Sequence, residues 1–192
     1  GTWTVSVTPD TVQGGLFPTV PTSISVQLTA NQEFDDADFG YQFVSNPSTI
    51  GDTVWIDTNA DGVKDANEDG LGNVTLNLWI DANNNGSIDT GDYVAQTTTT
   101  DADGDYAFTG LANNEYLVEV DETASVDLPG GGSAILGDAM DLVSAEGLTT
   151  PPLSNVIDVS ITTGGSTVDT ADFGYNWTGS IGDEHFYDTN GN

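Results

Sequence analysis

The sequence predicts an all-β protein built of sandwich domains in tandem, and three observations predict it. Short runs alternate apolar and polar residues with period two, clusters of turn residues separate the runs, and landmark motifs return later in the same order.

The first landmarks lie in residues 1–46. Trp3, Val5 and Val7 alternate, a Pro- and Gly-rich turn follows, Ile24-Ser-Val-Gln-Leu28 alternates, and Asp35-Asp-Ala-Asp-Phe-Gly-Tyr41 closes the segment. The order recurs with Tyr116, Val118 and Val120, then Val156-Ile-Asp-Val-Ser-Ile161, then Asp169-Thr-Ala-Asp-Phe-Gly-Tyr175. After each closing motif comes the same opening, Thr49-Ile-Gly-Asp52 and Ser180-Ile-Gly-Asp183. The expected division is therefore the C-terminal part of a preceding repeat at 1–46, a complete domain at 47–177, and the first strand and truncated loop of a next repeat at 178–192. A half sandwich leaves open sheet edges. Its completion is expected from adjacent repeats of the same protein or from neighbouring identical subunits in a fibre.

Within 47–177, strands are expected near 51–56, 73–80, 93–100, 105–109, 115–121, 155–162 and 168–176. About seven short strands separated by turns read as a β-sandwich. The expected core is Trp55, Leu76, Leu78, Phe108, Leu111, Tyr116, Val118, Val120, Val159, Ile161 and Phe173. Residues 127–150 have no counterpart in the first segment and contain Gly130-Gly-Gly132, so they read as an insertion that is mainly loop.

Between the first two strands of this domain lies Asp57-Thr-Asn-Ala-Asp-Gly-Val-Lys-Asp-Ala-Asn-Glu68. A hard divalent cation takes about six to eight oxygen ligands, and oxygen side chains at loop positions 1, 3, 5, 9 and 12 can wrap one. Asp57, Asn59, Asp61, Asp65 and Glu68 hold those positions, Gly62 allows the sharp turn at position 6, and Val63 offers a carbonyl. The grammar recurs in Asp81-Ala-Asn-Asn-Asn-Gly-Ser-Ile-Asp-Thr-Gly-Asp92, with Asp81, Asn83, Asn85, Ser87, Asp89 and Asp92 as candidates. It starts again at Asp188, Asn190 and Asn192. Such a loop alone can be a solvated turn, since Asn, Asp and Gly serve turns without a metal; two full loops and a third beginning argue for Ca2+. The flanks alternate with period two, so calcium here ties strands together and not the helices of an EF-hand.

Charge supports that reading. Thirty-one acidic residues stand against one lysine and no arginine, for a formal net charge of −30. This field repels nucleic acid and anionic membrane, and its self-repulsion opposes the compact state unless cations bind. There are no cysteines to staple the fold. No apolar run approaches the roughly 18 residues of a membrane span, so no membrane insertion is expected, and Gly1 opens no signal peptide. The expectation is a secreted or cell-surface, extracellular chain.

The chain resembles the SdrD B-like and Cna B-type domains of microbial surface proteins. The resemblance rests on Ile50-Gly-Asp-Thr-Val-Trp-Ile-Asp57, the loop through Glu68, Gly70-Leu-Gly-Asn-Val-Thr-Leu76, Thr100-Asp-Ala-Asp-Gly-Asp-Tyr-Ala-Phe108, Gly110-Leu-Ala-Asn-Asn-Glu-Tyr116 and Asp172-Phe-Gly-Tyr175. It implies a prealbumin-like, Ig-like β-sandwich used in tandem as a stalk, with calcium in the acidic loops. Asp101, Asp103 and Asp105 form a shorter acidic turn that either shares a metal or is a plain hairpin. Some relatives carry a Lys–Asn crosslink; here the one lysine, Lys64, lies inside a loop, which argues against that bond.

The leading expectation is thus a calcium-stabilised structural repeat of a stalk or extracellular filament. The alternative is an adhesin module that binds glycan or protein through Trp79, Trp177 or the 127–150 insertion. Trp79 lies on the opposite alternation from Leu78 and Ile80, which would expose it or pack it on a neighbouring domain. An enzyme is not expected, because every convincing carboxylate pair has a metal-loop explanation and no nucleophile with its base, phosphate loop or dinucleotide motif is present. Asn73-Val-Thr75 and Asn176-Trp-Thr178 are candidate glycosylation sites.

Overall fold

A computed structural model describes residues 1–7, 16–146, 149 and 153–177. The trailing opening motif, with His185, Asp188, Asn190 and Asn192, lies outside the described residues.

The described residues between 48 and 177 form two packed sheets. One is four-stranded, in the order β13 (Val156–Ile161), β9 (Asn114–Val120), β6 (Thr75–Ile80), β7 (Tyr93–Thr99), and antiparallel throughout. The other is built on β5 (Ser48–Ile56), which pairs antiparallel with β8 (Asp105–Leu111) and parallel with β14 (Thr167–Val168) and β15 (Phe173–Trp177), while β12 (Met140–Ala145) extends it beyond β15. The alternation sorts side chains as its period requires: on β6, Leu76, Leu78 and Ile80 turn inward and Thr75, Asn77 and Trp79 outward. All eleven expected core residues are buried. The core also takes in Ile50, Val54, Leu71, Val74, Tyr106, Leu136 and Tyr175.

Three sequence expectations need correction. The strand expected over 168–176 is split into β14 and β15, because Asp169–Asp172 interrupts it and the register against β5 shifts by one residue between the two pieces. Residues 127–150 are not mainly loop. A hairpin of β10 (Ser125–Asp127) and β11 (Ser133–Ile135) leads through the one-turn α1 (Leu136–Ala139) into β12, a strand of the sandwich. Buried Leu136, Met140, Ser144 and Ala145 fix it there, and a bulge between Leu142 and Ser144 disrupts the alternation that would have marked it. Trp79 is half-buried, standing opposite Leu117 on the outer sheet face and donating its Nε1–H to Glu119 Oε2 at 2.8 Å. It serves its own domain and is no open binding platform.

The leading segment forms two strand pairs, β1 (Thr2–Ser6) with β3 (Ser23–Gln27) and β2 (Leu16–Pro18) with β4 (Tyr41–Phe43), both antiparallel. In chain order these match β9 with β13 and β12 with β15. Phe17 is buried in the main core, edge-to-face on Tyr116 at 5.9 Å between centroids. No helix among the described residues is long and apolar enough to cross a membrane.

Candidate metal loops

The parallel pairing of β5 with β15 fixes where each loop sits. The first loop follows β5 and lies at the end of the sandwich where the chain leaves: Asp57 N–H donates to Tyr175 O, and Asn176 Nδ2 donates to Thr58 O at 3.2 Å. The second loop follows β6, which runs the other way, and lies at the end where the leading segment docks. There Asp81 N–H donates to Glu115 O, and Thr22 Oγ1 donates to Val94 O at 3.4 Å.

The two loops are folded by the same internal bonds. In the first, Asp57 Oδ1 accepts from Asp61 N at 3.2 Å and Asp57 Oδ2 from Gly62 N at 3.0 Å. In the second, Asp81 Oδ1 accepts from Asn85 N at 3.3 Å and Asp81 Oδ2 from Gly86 N at 2.8 Å. The position-12 carboxylates reach back alike. Glu68 accepts from Thr58 N and Asp65 N, and Asp92 from Ala82 N and Asp89 N. Gly62 and Gly86 take φ of 78° and 71°, the left-handed conformation the turn at position 6 demands. Ala60 and Asn84, both at position 4, share φ of 55°.

Their surroundings differ. Asp57 is fully buried and its Oδ2 also accepts from Ser144 Oγ at 2.8 Å, a contact supplied by β12 that no local motif announces. Glu68 is buried too. Burial raises its pKa, but hydrogen bonds from Asp65 N–H and from the hydroxyl and N–H of Thr58 outweigh that and hold it below the usual carboxylate value. Lys64 leaves the loop to donate to Asp103 O at 3.0 Å and Thr53 Oγ1 at 3.2 Å, tying the loop to the β7–β8 turn. Around the second loop Asp81 is buried and Asp92 is half exposed. Asp158 on β13 stands near, its pKa raised by burial and by the charges of Asp81 and Glu115.

Between the carboxylates at positions 5 and 9 stands an amide. Asn59 Nδ2 donates to Asp61 Oδ2 at 3.0 Å and to Asp65 Oδ2 at 3.3 Å. In the second loop Asn83 and Asn85 donate to Asp89 in the same way. Among the described residues no three acidic or histidine side chains converge as a ready metal cluster. The donor set is nevertheless all oxygen, the preference of a hard cation, and the amide supplies the positive hydrogens that a cation would replace. Asp57, Asn59, Asp61, Asp65 and Glu68, with the Val63 carbonyl, would hold one ion. Asp81, Asn83, Asn85, Asp89 and Asp92, with the Ser87 carbonyl, would hold the other.

Asp101, Asp103 and Asp105 make a closed hairpin turn. Asp101 Oδ1 accepts from both Asp103 N at 2.9 Å and Asp105 N at 3.0 Å. Gly104, at φ 84°, and Gly70 lie back to back, and a Cβ on either would overlap backbone. Of the two candidate glycosylation sites, Asn73 is exposed, whereas the Asn176 side chain is engaged at both Nδ2 and Oδ1.

Fold and loops together define a class, a β-sandwich whose strands are joined by matched acidic loops. The SdrD B-like domain model matches residues 48–173, and the chain belongs to that family. Serine-aspartate repeat-containing protein E of Staphylococcus aureus strain USA300 is 33% identical over 171 residues, covering 88% of this chain and 13% of that protein. Serine-aspartate repeat-containing protein F of Staphylococcus epidermidis is 47% identical over 70 residues, covering 36% of this chain and 4% of that protein. The chain thus spans a small fraction of the relatives it matches. Among solved structures, the minor pilin GBS52 of Streptococcus agalactiae is 12% identical with a TM-score of 0.42, over 92% of this chain and 66% of that one, a likeness too distant to carry argument.

Proposed function

We propose that the chain is a calcium-stabilised structural repeat of a secreted or cell-surface stalk or extracellular filament. The observation that carries the reading is the pair of loops at opposite ends, each with a buried first carboxylate and the same hydrogen-bond frame. An ion in each would fasten both ends of the sandwich and offset part of the −30 charge. The matched strand pairs of residues 1–46 support the division into a preceding half repeat, a complete domain at 47–177 and a following repeat from 178. Their close contact through Phe17 supports adjacent repeats as partners.

Each bound ion would stabilise the fold by RT ln(1 + [L]/Kd), about 2.7 kcal/mol at one hundred times Kd. With four carboxylates against three, the first loop is the tighter site. The adhesin alternative has weaker support, since of its two candidate tryptophans Trp79 is committed to Leu117 and Glu119 and Trp177 alone is exposed. The test is thermal unfolding of the full chain with calcium, with magnesium and with chelator. A calcium-specific rise in Tm is expected; equal Tm in all three overturns the calcium reading and leaves the loops as turns.

A further inference from the structure

The two loops differ at a side chain that decides their covalent chemistry. Position 5 is Asp61 in the first and Asn85 in the second, and a glycine follows each, Gly62 and Gly86. A side-chain amide that precedes glycine is open to attack by the glycine nitrogen, because no Cβ hinders the approach.

The second loop brings together the groups this reaction needs. Ser87 N–H donates to Asn85 Oδ1 at 2.9 Å, which polarises the side-chain carbonyl and is placed to stabilise the charge that grows on its oxygen. Gly86 N–H donates to Asp81 Oδ2 at 2.8 Å, which draws electron density toward the nitrogen that attacks. Asn85 and Gly86 are both exposed, so water and hydroxide reach them. The first loop has the same frame, with Val63 N–H on Asp61 Oδ1 at 2.9 Å and Gly62 N–H on Asp57 Oδ2 at 3.0 Å. It presents a carboxylate there, whose negative charge repels a nucleophile.

We propose that Asn85 is a deamidation site, and that its hydrolysis to aspartate in the folded chain gives the second loop the carboxylate set of the first. Hydroxide takes the Gly86 amide proton, the nitrogen bonds to Asn85 Cγ, and the Cγ–Nδ2 bond breaks, with water protonating the departing ammonia. A second water opens the cyclic imide. Opening at Cγ gives aspartate, and opening at the Asn85 backbone carbonyl gives isoaspartate, whose chain runs through an added backbone atom. Overall one water is consumed and one ammonia released, with no change of oxidation state.

The frame selects between the two products. Asp81 grips the N–H groups of Asn85 at 3.3 Å and Gly86 at 2.8 Å, and an added backbone atom between them would pull one away. Aspartate fits, as Asp61 shows in the same bonds of the first loop. It also turns the hydrogen bond from Asn85 Nδ2 to Asp89 Oδ2, 2.7 Å long, into a meeting of two carboxylates. Their repulsion destabilises the loop unless a cation lies between them. The modification itself is independent of whether the loops hold calcium.

The experiment is incubation of the full chain in mildly alkaline buffer, folded and, in parallel, unfolded in urea, followed by digestion with pepsin in acid and mass spectrometry of the peptides that contain residue 85. Expected are a deamidated fraction at Asn85 that grows with time in the folded chain, and a ratio of aspartate to isoaspartate at least tenfold above that of the unfolded chain. Asn85 that stays intact in the folded chain while it converts in the unfolded one, or an equal product ratio in both, overturns the proposal. The Tm of Asn85→Asp with calcium and with chelator keeps the two readings apart. Conversion at Asn85 with no calcium response leaves the deamidation site standing without the metal, and a calcium response in a chain whose Asn85 stays intact does the reverse.

Discussion

The loops at 57–68 and 81–92 share a grammar and a hydrogen-bond frame, yet the sandwich treats them differently. The first is roofed: Asp57 and Glu68 are both buried, Ser144 reaches Asp57 from β12, and Lys64 anchors the loop to the Asp103 carbonyl. The second keeps only its first carboxylate buried, closes with a shorter and half-exposed Asp92, and faces Asp158, a further negative charge. Glu68 collects the Thr58 hydroxyl as well as two backbone N–H groups, whereas Asp92 collects two N–H groups. The difference teaches that a loop motif specifies its own turn, while its place against the core decides how much of the fold depends on it.

The strongest way to break the comparison is Asp57→Ala. It orphans the N–H groups of Asp61 and Gly62 and the Ser144 hydroxyl at a fully buried site, so a loss of about 3 kcal/mol in chemical denaturation without calcium is expected, along with the larger part of any calcium-dependent rise in Tm. Asp81→Ala orphans two N–H groups nearer solvent and should cost about 1–2 kcal/mol by the same measurement. Equal losses from the two variants would mean that the roof over the first loop contributes nothing.

Ser144→Ala isolates that roof, since it leaves every residue of the loop in place. A loss of about 1 kcal/mol is expected, and a double-mutant cycle with Asp57→Ala should show strong coupling between the two sites.

The smallest expected effect lies on β5 itself. Burial, followed by the charges of Asp172, Asp169 and Asp105, raises the pKa of Asp52 from 3.8 to about 6. A carboxyl raised in the folded state binds its proton more tightly there than in the unfolded chain. Its contribution to stability is therefore fully present below pH 3.8 and is lost as pH rises through about 6. Asp52→Asn should raise Tm modestly at pH 7.5, with the gain vanishing near pH 4; thermal scans across that window measure it.

Much of this was legible in the chain. Alternation on β6 and β13 placed their inward faces, and the spacing from Asp57 to Glu68 and from Asp81 to Asp92 placed both loops. β12 was not legible, because its bulge breaks the period at Leu142 and its register comes from β15. The burial of Phe17 was equally hidden, since a three-residue strand carries no period and Tyr116 lies far along the chain.

What the sequence determined by itself was local: which runs extend, which turns need glycine, and which oxygens each loop brings together. Only tertiary structure decided that Ser144 holds Asp57, that Trp79 covers Leu117, and that the two loops sit at opposite ends. Those outcomes depend on pairings between strands distant in the chain, above all the parallel closure of β5 on β15. Side-chain period and loop spacing are properties of neighbours, whereas the direction in which a strand runs against a partner more than a hundred positions away is set by packing the whole core at once.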